Sequence, residues 1–114
     1  MTKVFLKDKN GQKEICCEGH SGYGVQGEDI VCAAISILVY SFSKVCEYLD
    51  RIDHIQINCL EEESGKFSIR ISDPLNETGN AYRMLVEGIE ALEKNYEKNV
   101  KIYSEWEEFE KINL

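Results

Sequence analysis

Residues 19–36 read GHSGYGVQGEDIVCAAIS. Glycine recurs at positions 19, 22, 24 and 27, and the segment then turns apolar through Ile30, Val31, Cys32, Ala33, Ala34 and Ile35. Closely spaced glycines permit unusual backbone angles and opening motions. An Asp directly before an apolar periodic run marks a helix start, and Asp29 holds that place. From Val31 onward, apolar residues fall at 34, 35, 38, 39, 42, 45, 46 and 49. That spacing predicts a helix from Asp29 to Leu49 with one continuous buried stripe. The length and glycine content of the loop before it suggest a lid or binding loop rather than a plain connection.

On either side of this junction the period changes from helical to two. Residues 3–7 alternate, Asn10-Gly11 is a strong hairpin turn, and residues 12–18 return as a second strand carrying Ile15 and Cys17 on one face and Cys16 on the other. Downstream, residues 54–60 alternate, 61–65 form a polar turn, and 66–72 alternate again through Phe67, Ile69 and Ile71, which predicts a second hairpin. His54, at the start of that strand beside Asp53, reads as a surface residue. Asp73-Pro74 breaks the strand, and Asn76 is the candidate cap of a second helix with the stripe Tyr82, Leu85, Val86, Ile89, Leu92 and Tyr96. Gly79 and Gly88 weaken that helix. Residues 100–103 make a last short strand. The acidic tail, residues 105–114 with Trp106, Phe109 and Ile112, reads as a helical turn or a docking segment. The order β-β-α-β-β-α-β implies an α+β fold: a mainly antiparallel sheet with two helices packed on one face. The other face is then partly exposed or buried in a dimer.

Composition bounds the possibilities. A chain of 114 residues, 43% hydrophobic and 30% charged, suits one domain over residues 1–114 with a real core. Its net charge of −8 repels phosphate backbones, which argues against nucleic-acid binding. The same charge suits a basic protein partner, or serves only solubility. The N-terminal MTKVFLKDKN lacks the apolar core of a signal peptide, and the apolar run 30–40 is too short to span a bilayer. The expected location is the cytoplasm, with no membrane contact. Five cysteines, an odd number, then read as reduced thiols. No CxxC and no paired Cys/His spacing points to zinc, so no metal and no cofactor are expected.

The chemistry worth weighing lies in the opening stretch. With Asp29 as N-cap, Cys32 is at position N3, near orphan amides and the positive end of the helix dipole. His20 reaches Cys32 if the loop folds back, and the two then form a thiol nucleophile and its general base. The amides of Val31 and Cys32 are the candidate oxyanion donors. Asp29 either caps the helix or also orients His20, and Ser36, one turn beyond Cys32, either lines the site or packs. Tyr23 either contacts substrate or covers the loop. The plain alternative is an inert core thiol beside a solvent-exposed histidine. Cys46, on the helical stripe, reads as a core thiol. A redox-sensing role lacks an evident resolving cysteine.

The string Gly19-His20, Tyr23, Gly27, Asp29-Ile30-Val31-Cys32-Ala33-Ala34 and Ser36 resembles the Prp family of ribosomal-processing cysteine proteases. The likeness extends over nearly the whole chain in length and element order, with the specific identities concentrated in 19–36. The resemblance implies a cytoplasmic bacterial endopeptidase that removes the N-terminal extension of a large-subunit ribosomal protein, L-twenty-seven. It implies Cys32 as nucleophile, His20 as base, and Asp29 and Ser36 as supporting residues. It also implies a homodimer with a mobile loop over the site, here the loop carrying Gly19, Gly22, Tyr23, Gly24 and Gly27. One departure is Ser21-Gly22, where family members often have alanine after the histidine; it keeps the spacing and adds flexibility. The competing reading is a non-catalytic ribosome-associated module that uses the same loop for binding.

Overall fold

The computed structural model describes residues 1–104, so the expectation for the tail 105–114 lies outside the described residues. Seven elements follow in the predicted order: β1 (Thr2–Lys9), β2 (Gln12–Glu18), α1 (Ile30–Arg51), β3 (Gln56–Glu63), β4 (Lys66–Ser72), α2 (Gly79–Asn95) and β5 (Val100–Tyr103). The strands form one sheet in the order β3-β4-β2-β1-β5. Three of its pairings are antiparallel, but β5 runs parallel to β1, so the sheet is mixed. The parallel pair follows from connectivity, because β5 arrives beside β1 only after crossing over through α2. Asn10 and Gly11 both adopt positive φ, as a two-residue hairpin turn of this kind requires.

The core lies between the sheet and both helices. Alternation puts Val4, Leu6, Ile15, Cys17, Phe67, Ile69 and Ile71 on the helix side, where they meet Val31, Ile35, Val39, Phe42 and Cys46 of α1 and Leu85 and Ile89 of α2. Gly88 brings the two helices close, since a Cβ there would stand 2.9 Å from the Leu38 methyls. At 22 residues α1 is long and apolar enough to cross a membrane by length and composition, unlike the shorter run on which the sequence argument rested. Its buried stripe is seated on the sheet, while Ile30, Ile37, Tyr40 and Tyr48 face outward. On the opposite sheet face Phe5 and Cys16 are also buried, and Phe5 stacks on Tyr103 with ring centroids 5.2 Å apart.

Two local expectations need correction. β3 continues to Glu63 instead of ending at residue 60, which shortens the turn to Ser64-Gly65. A bulge between Ile57 and Cys59 shifts the phase, so Leu60 pairs with Ile69 and Glu62 with Phe67. Asn76 does not cap α2. The N-cap position is Thr78, which makes no side-chain cap bond, and Asn76 sits at positive φ and accepts a 2.6 Å bond from Lys13 Nζ. The capping work falls to Asp73, whose carboxylate accepts from the amides of Glu77 and Thr78 and from the Thr78 hydroxyl. His54 is exposed, with Nδ1 2.8 Å from Glu77 Oε1.

Lys13 lies on the helix side of β2, 3% exposed, and pairs with Asp73 at 3.1 Å. Burial pushes the Asp73 carboxyl up, but the Thr78 hydroxyl and amide, the Glu77 amide and Lys13 together outweigh it and hold it below the ordinary range. A depressed carboxyl stabilises the fold above its unfolded value, 3.8, and that contribution is lost as pH falls through the folded value. Lys13→Ala leaves the carboxylate buried without its cation, and urea unfolding at neutral pH is expected to register a loss of about 3 kcal/mol. The gap between parent and variant is expected to narrow as pH falls through the folded Asp73 value, which lies below 3.8 in the parent.

Candidate active site

Asp29 builds the start of α1. It has extended backbone angles (φ −80°, ψ 108°), and its Oδ1 accepts from the amides of Val31 at 2.9 Å and Cys32 at 3.0 Å. Its second oxygen, Oδ2, accepts from the Ser21 hydroxyl at 2.6 Å and the Gly24 amide at 3.0 Å. One carboxylate thus closes the helix and folds the preceding loop back over it. The Ser21 hydroxyl, followed by the amides of Cys32, Gly24 and Val31, holds the Asp29 carboxyl well below the usual range against the opposing effect of burial.

Asp29 makes no bond to His20. The residue it fixes is Ser21, next in sequence and only 1% exposed. The Ser21 amide donates to Cys32 Sγ at 3.3 Å, its hydroxyl also accepts from the Tyr23 amide at 3.2 Å, and its carbonyl accepts from Asn99 Nδ2 at 2.9 Å. Sequence reasoning missed both Ser21 and Asn99. A serine eight residues before a buried Asp was a usable signal, masked by the glycines around it; Asn99, 78 residues away, carried none.

His20 and Cys32 line the same cavity of about 270 Å³, with Ser36, Gly19 and Gly65 on its walls and Ile35, Val39 and Phe67 among its apolar residues. The cleft continues into a neighbouring space of about 200 Å³ that adds Tyr40 and Glu62. His20 is exposed and Cys32 partly buried. No hydrogen bond joins the ring to the sulfur. The imidazole rests instead on Gly65, where a Cβ would come within 3.0 Å of Nε2. Gly19 at the end of β2 fastens this seat, its amide donating to the Gly65 carbonyl at 2.8 Å. Gly22 and Gly27 adopt positive φ in the loop, and Tyr23 packs edge-on against Tyr96, the C-cap of α2, at 5.1 Å. Gly22, Tyr23, Gly24 and Gly27 do not line the cavity.

Of the five cysteines, burial pushes Cys16 up to about 11 and Cys17 and Cys46 up to about 12. Cys59 lies on β3 opposite Arg70, away from the histidine cavity. Cys17 and Cys32 both line the cavity with His20, and of the two only Cys32 is not fully buried. The amides of Val31 and Cys32, expected as oxyanion donors, are already bonded to the Asp29 carboxylate.

The family model described as cysteine protease Prp matches residues 1–101. The chain belongs to the Prp cysteine protease family. As a family member it is a cysteine protease. Among solved structures, an essential ribosomal processing protease Prp from S. aureus with a covalently linked product peptide aligns over 92% of this chain and 100% of its own, at 20% identity and a TM-score of 0.76. The same S. aureus protease with a substrate peptide gives 0.72 at 20% identity over equal shares. SMU.848 from Streptococcus mutans gives 0.63 at 21% identity, over 92% of this chain and 94% of its own. At these identities the likeness is one of fold. No protein of curated function matches the sequence.

The Gly65 seat of this Prp protein yields a direct test. Gly65→Ala places a methyl against the His20 ring and is expected to lower kcat/KM for peptide cleavage roughly 100-fold. Gly11→Ala, at the same φ of +76° in the other hairpin, is the matched control. Both variants are expected to lose about 1 kcal/mol or more in urea unfolding, and Gly11→Ala to keep its activity.

Proposed function

We propose that this Prp protein is an endopeptidase in which Cys32 is the nucleophile and His20 the general base and acid, acting on the N-terminal extension of the ribosomal protein L-twenty-seven. The observation that carries the reading is the shared cavity: Cys32 and His20 face one cleft, and the other cysteine there, Cys17, is buried and pushed up to about 12. Cys32 Sγ attacks the scissile carbonyl, and His20 takes the thiol proton and returns it to the departing amine. Asp29 and Ser36 support the site, Asp29 by holding the loop and helix start in register and Ser36 by lining the cleft one turn beyond the sulfur.

A basic, extended peptide suits what surrounds the pair. The chain carries a net charge of −8, and Glu62 and Glu63 stand along the cleft above apolar Val39 and Phe67. β3, which carries those glutamates, is an edge strand of the sheet, the place where an added peptide strand finds backbone partners. The outward Ile30, Ile37, Tyr40 and Tyr48 of α1 give a second copy an apolar surface to pair with, consistent with a homodimer. We place the protein in the bacterial cytoplasm, where its thiols stay reduced.

Incubation of the purified protein with the extended ribosomal protein tests the reading. The parent is expected to release the extension, Cys32→Ala to leave it intact, and His20→Ala to cut at least about 100-fold more slowly. Cleavage by Cys32→Ala at the parental rate, or tight binding with no cleavage by the parent, removes the proposal. Limited iodoacetamide labelling at neutral pH is expected to mark Cys32 and Cys59 before the buried thiols of Cys16, Cys17 and Cys46.

A further inference from the structure

A thiol protease must hold the negative oxygen of its tetrahedral intermediate, and helix-start amides commonly do so. Here those of Val31, Cys32 and Ala33 are taken. The Val31 and Cys32 amides bond to the Asp29 carboxylate, and the Ala33 amide bonds to the Asp29 carbonyl at 3.0 Å. The donor that does reach the reacting sulfur is the Ser21 amide, 3.3 Å from Sγ. It comes from the loop side of the cleft, next to His20.

That amide is held from three directions. The Ser21 hydroxyl is tied to Asp29 at 2.6 Å, and its carbonyl accepts from Asn99 Nδ2 at 2.9 Å. Two residues earlier, the Gly19 carbonyl accepts from the Thr2 hydroxyl at 3.3 Å. Asn99 is itself fixed at both backbone groups: its amide donates to the Tyr96 carbonyl, and its carbonyl accepts from the Thr2 amide, each at 2.8 Å. Such a long-range, partly buried clamp on a glycine-flanked loop has no evident use in the core, since Asn99 lies in the connection between α2 and β5.

We propose that the Ser21 N–H is the oxyanion donor of the reaction and that Asn99 is the positioning residue that aims it. The proposal rests on Cys32 and His20 acting as described above. In the free enzyme the N–H meets the sulfur. As the S–C bond forms, the carbonyl π pair moves onto oxygen and the sulfur gives up its charge. The N–H then turns from a large, polarisable acceptor to a compact oxyanion, a stronger partner at shorter range. Its hold is therefore tighter in the transition state than in the ground state, which is what catalysis requires. The oxygen pair returns to re-form the carbonyl as the C–N bond breaks, and the amine leaves with the proton from His20. A thioester remains on Cys32. Water attacks it, losing a proton to His20, and a second tetrahedral oxyanion forms at the same donor before the thiolate departs.

The chain is short enough to be made by chemical ligation with an ester in place of the His20–Ser21 amide, which deletes one N–H and leaves every side chain in place. Against the same extended substrate, this analogue is expected to lose roughly 100-fold in kcat with KM within about 2-fold. Its affinity for a peptide aldehyde, which forms an oxyanion-like adduct on sulfur, is expected to fall by a similar factor. Its rate of Cys32 alkylation by iodoacetamide, which forms no oxyanion, is expected to change far less. Asn99→Ala is expected to follow the same pattern at roughly 10-fold. Unchanged aldehyde affinity in the ester analogue, or an equal drop in alkylation and turnover, overturns the proposal. Cys32→Ala serves as a separate control: cleavage by that variant removes the underlying nucleophile assignment and not merely the donor.

Discussion

The Asp29 carboxylate is the point on which the local structure depends. Four donors converge on its two oxygens, two from the first turn of α1 and two from the loop before it. The helix half alone is an ordinary N-cap. The loop half makes it a junction, because the same charge that ends the helix draws Ser21 and Gly24 back over that end. His20 and Cys32 thereby reach one cleft although twelve positions separate them in the chain.

The remaining walls of the site come from distant parts of the sheet. The Ser64-Gly65 turn of the β3–β4 hairpin seats the imidazole, and β2 delivers Gly19 directly opposite it. β5, parallel to β1 at the far edge, begins just after Asn99, so the crossover through α2 ends at the loop that carries His20 and Ser21. The parallel strand is thus more than a topological detail, since the connection that leads into it carries Asn99, which grips Ser21. The buried Lys13–Asp73 pair plays the corresponding part at the opposite end of the sheet, tying β2 to the segment that starts α2. With Asp29 and Asp73, one buried carboxylate anchors the chain just before each helix.

Periodicity made most of the fold legible. Both hairpins, both helical stripes and the last strand could be read because each has one buried face, and burial writes a period of two or 3.6 into the sequence. The β3 bulge was not legible, because a single inserted residue leaves no compositional mark and reverses every facing beyond Ile57. The parallel β1–β5 pairing depends on a crossover that local sequence does not encode. Asn76 was misread because an Asx residue before a helix fits a cap, whereas Asp73, three residues earlier, holds the Glu77 and Thr78 amides with a charge. In the site, Cys32, His20 and Asp29 stood out by residue type and spacing. The oxyanion assignment failed for a reason already present in the sequence: an Asp that caps at position 29 must use the amides two and three residues on. Ser21, read as added flexibility, turned out to be the most tightly held residue of the loop.

The most direct measurement replaces Asp29 with Asn and follows two quantities together: hydrogen exchange at the Ser21 and Gly24 amides, and the single-turnover rate of acylation at the thiol proposed as nucleophile, Cys32. The neutral amide keeps the shape and one acceptor but removes the charge that four donors share. The expected result is that loop protection and acylation fall together, by roughly 10-fold or more, while amides in the middle of the sheet keep their protection. Acylation at the parental rate with the loop amides exposed would contradict the coupling of loop and helix through Asp29.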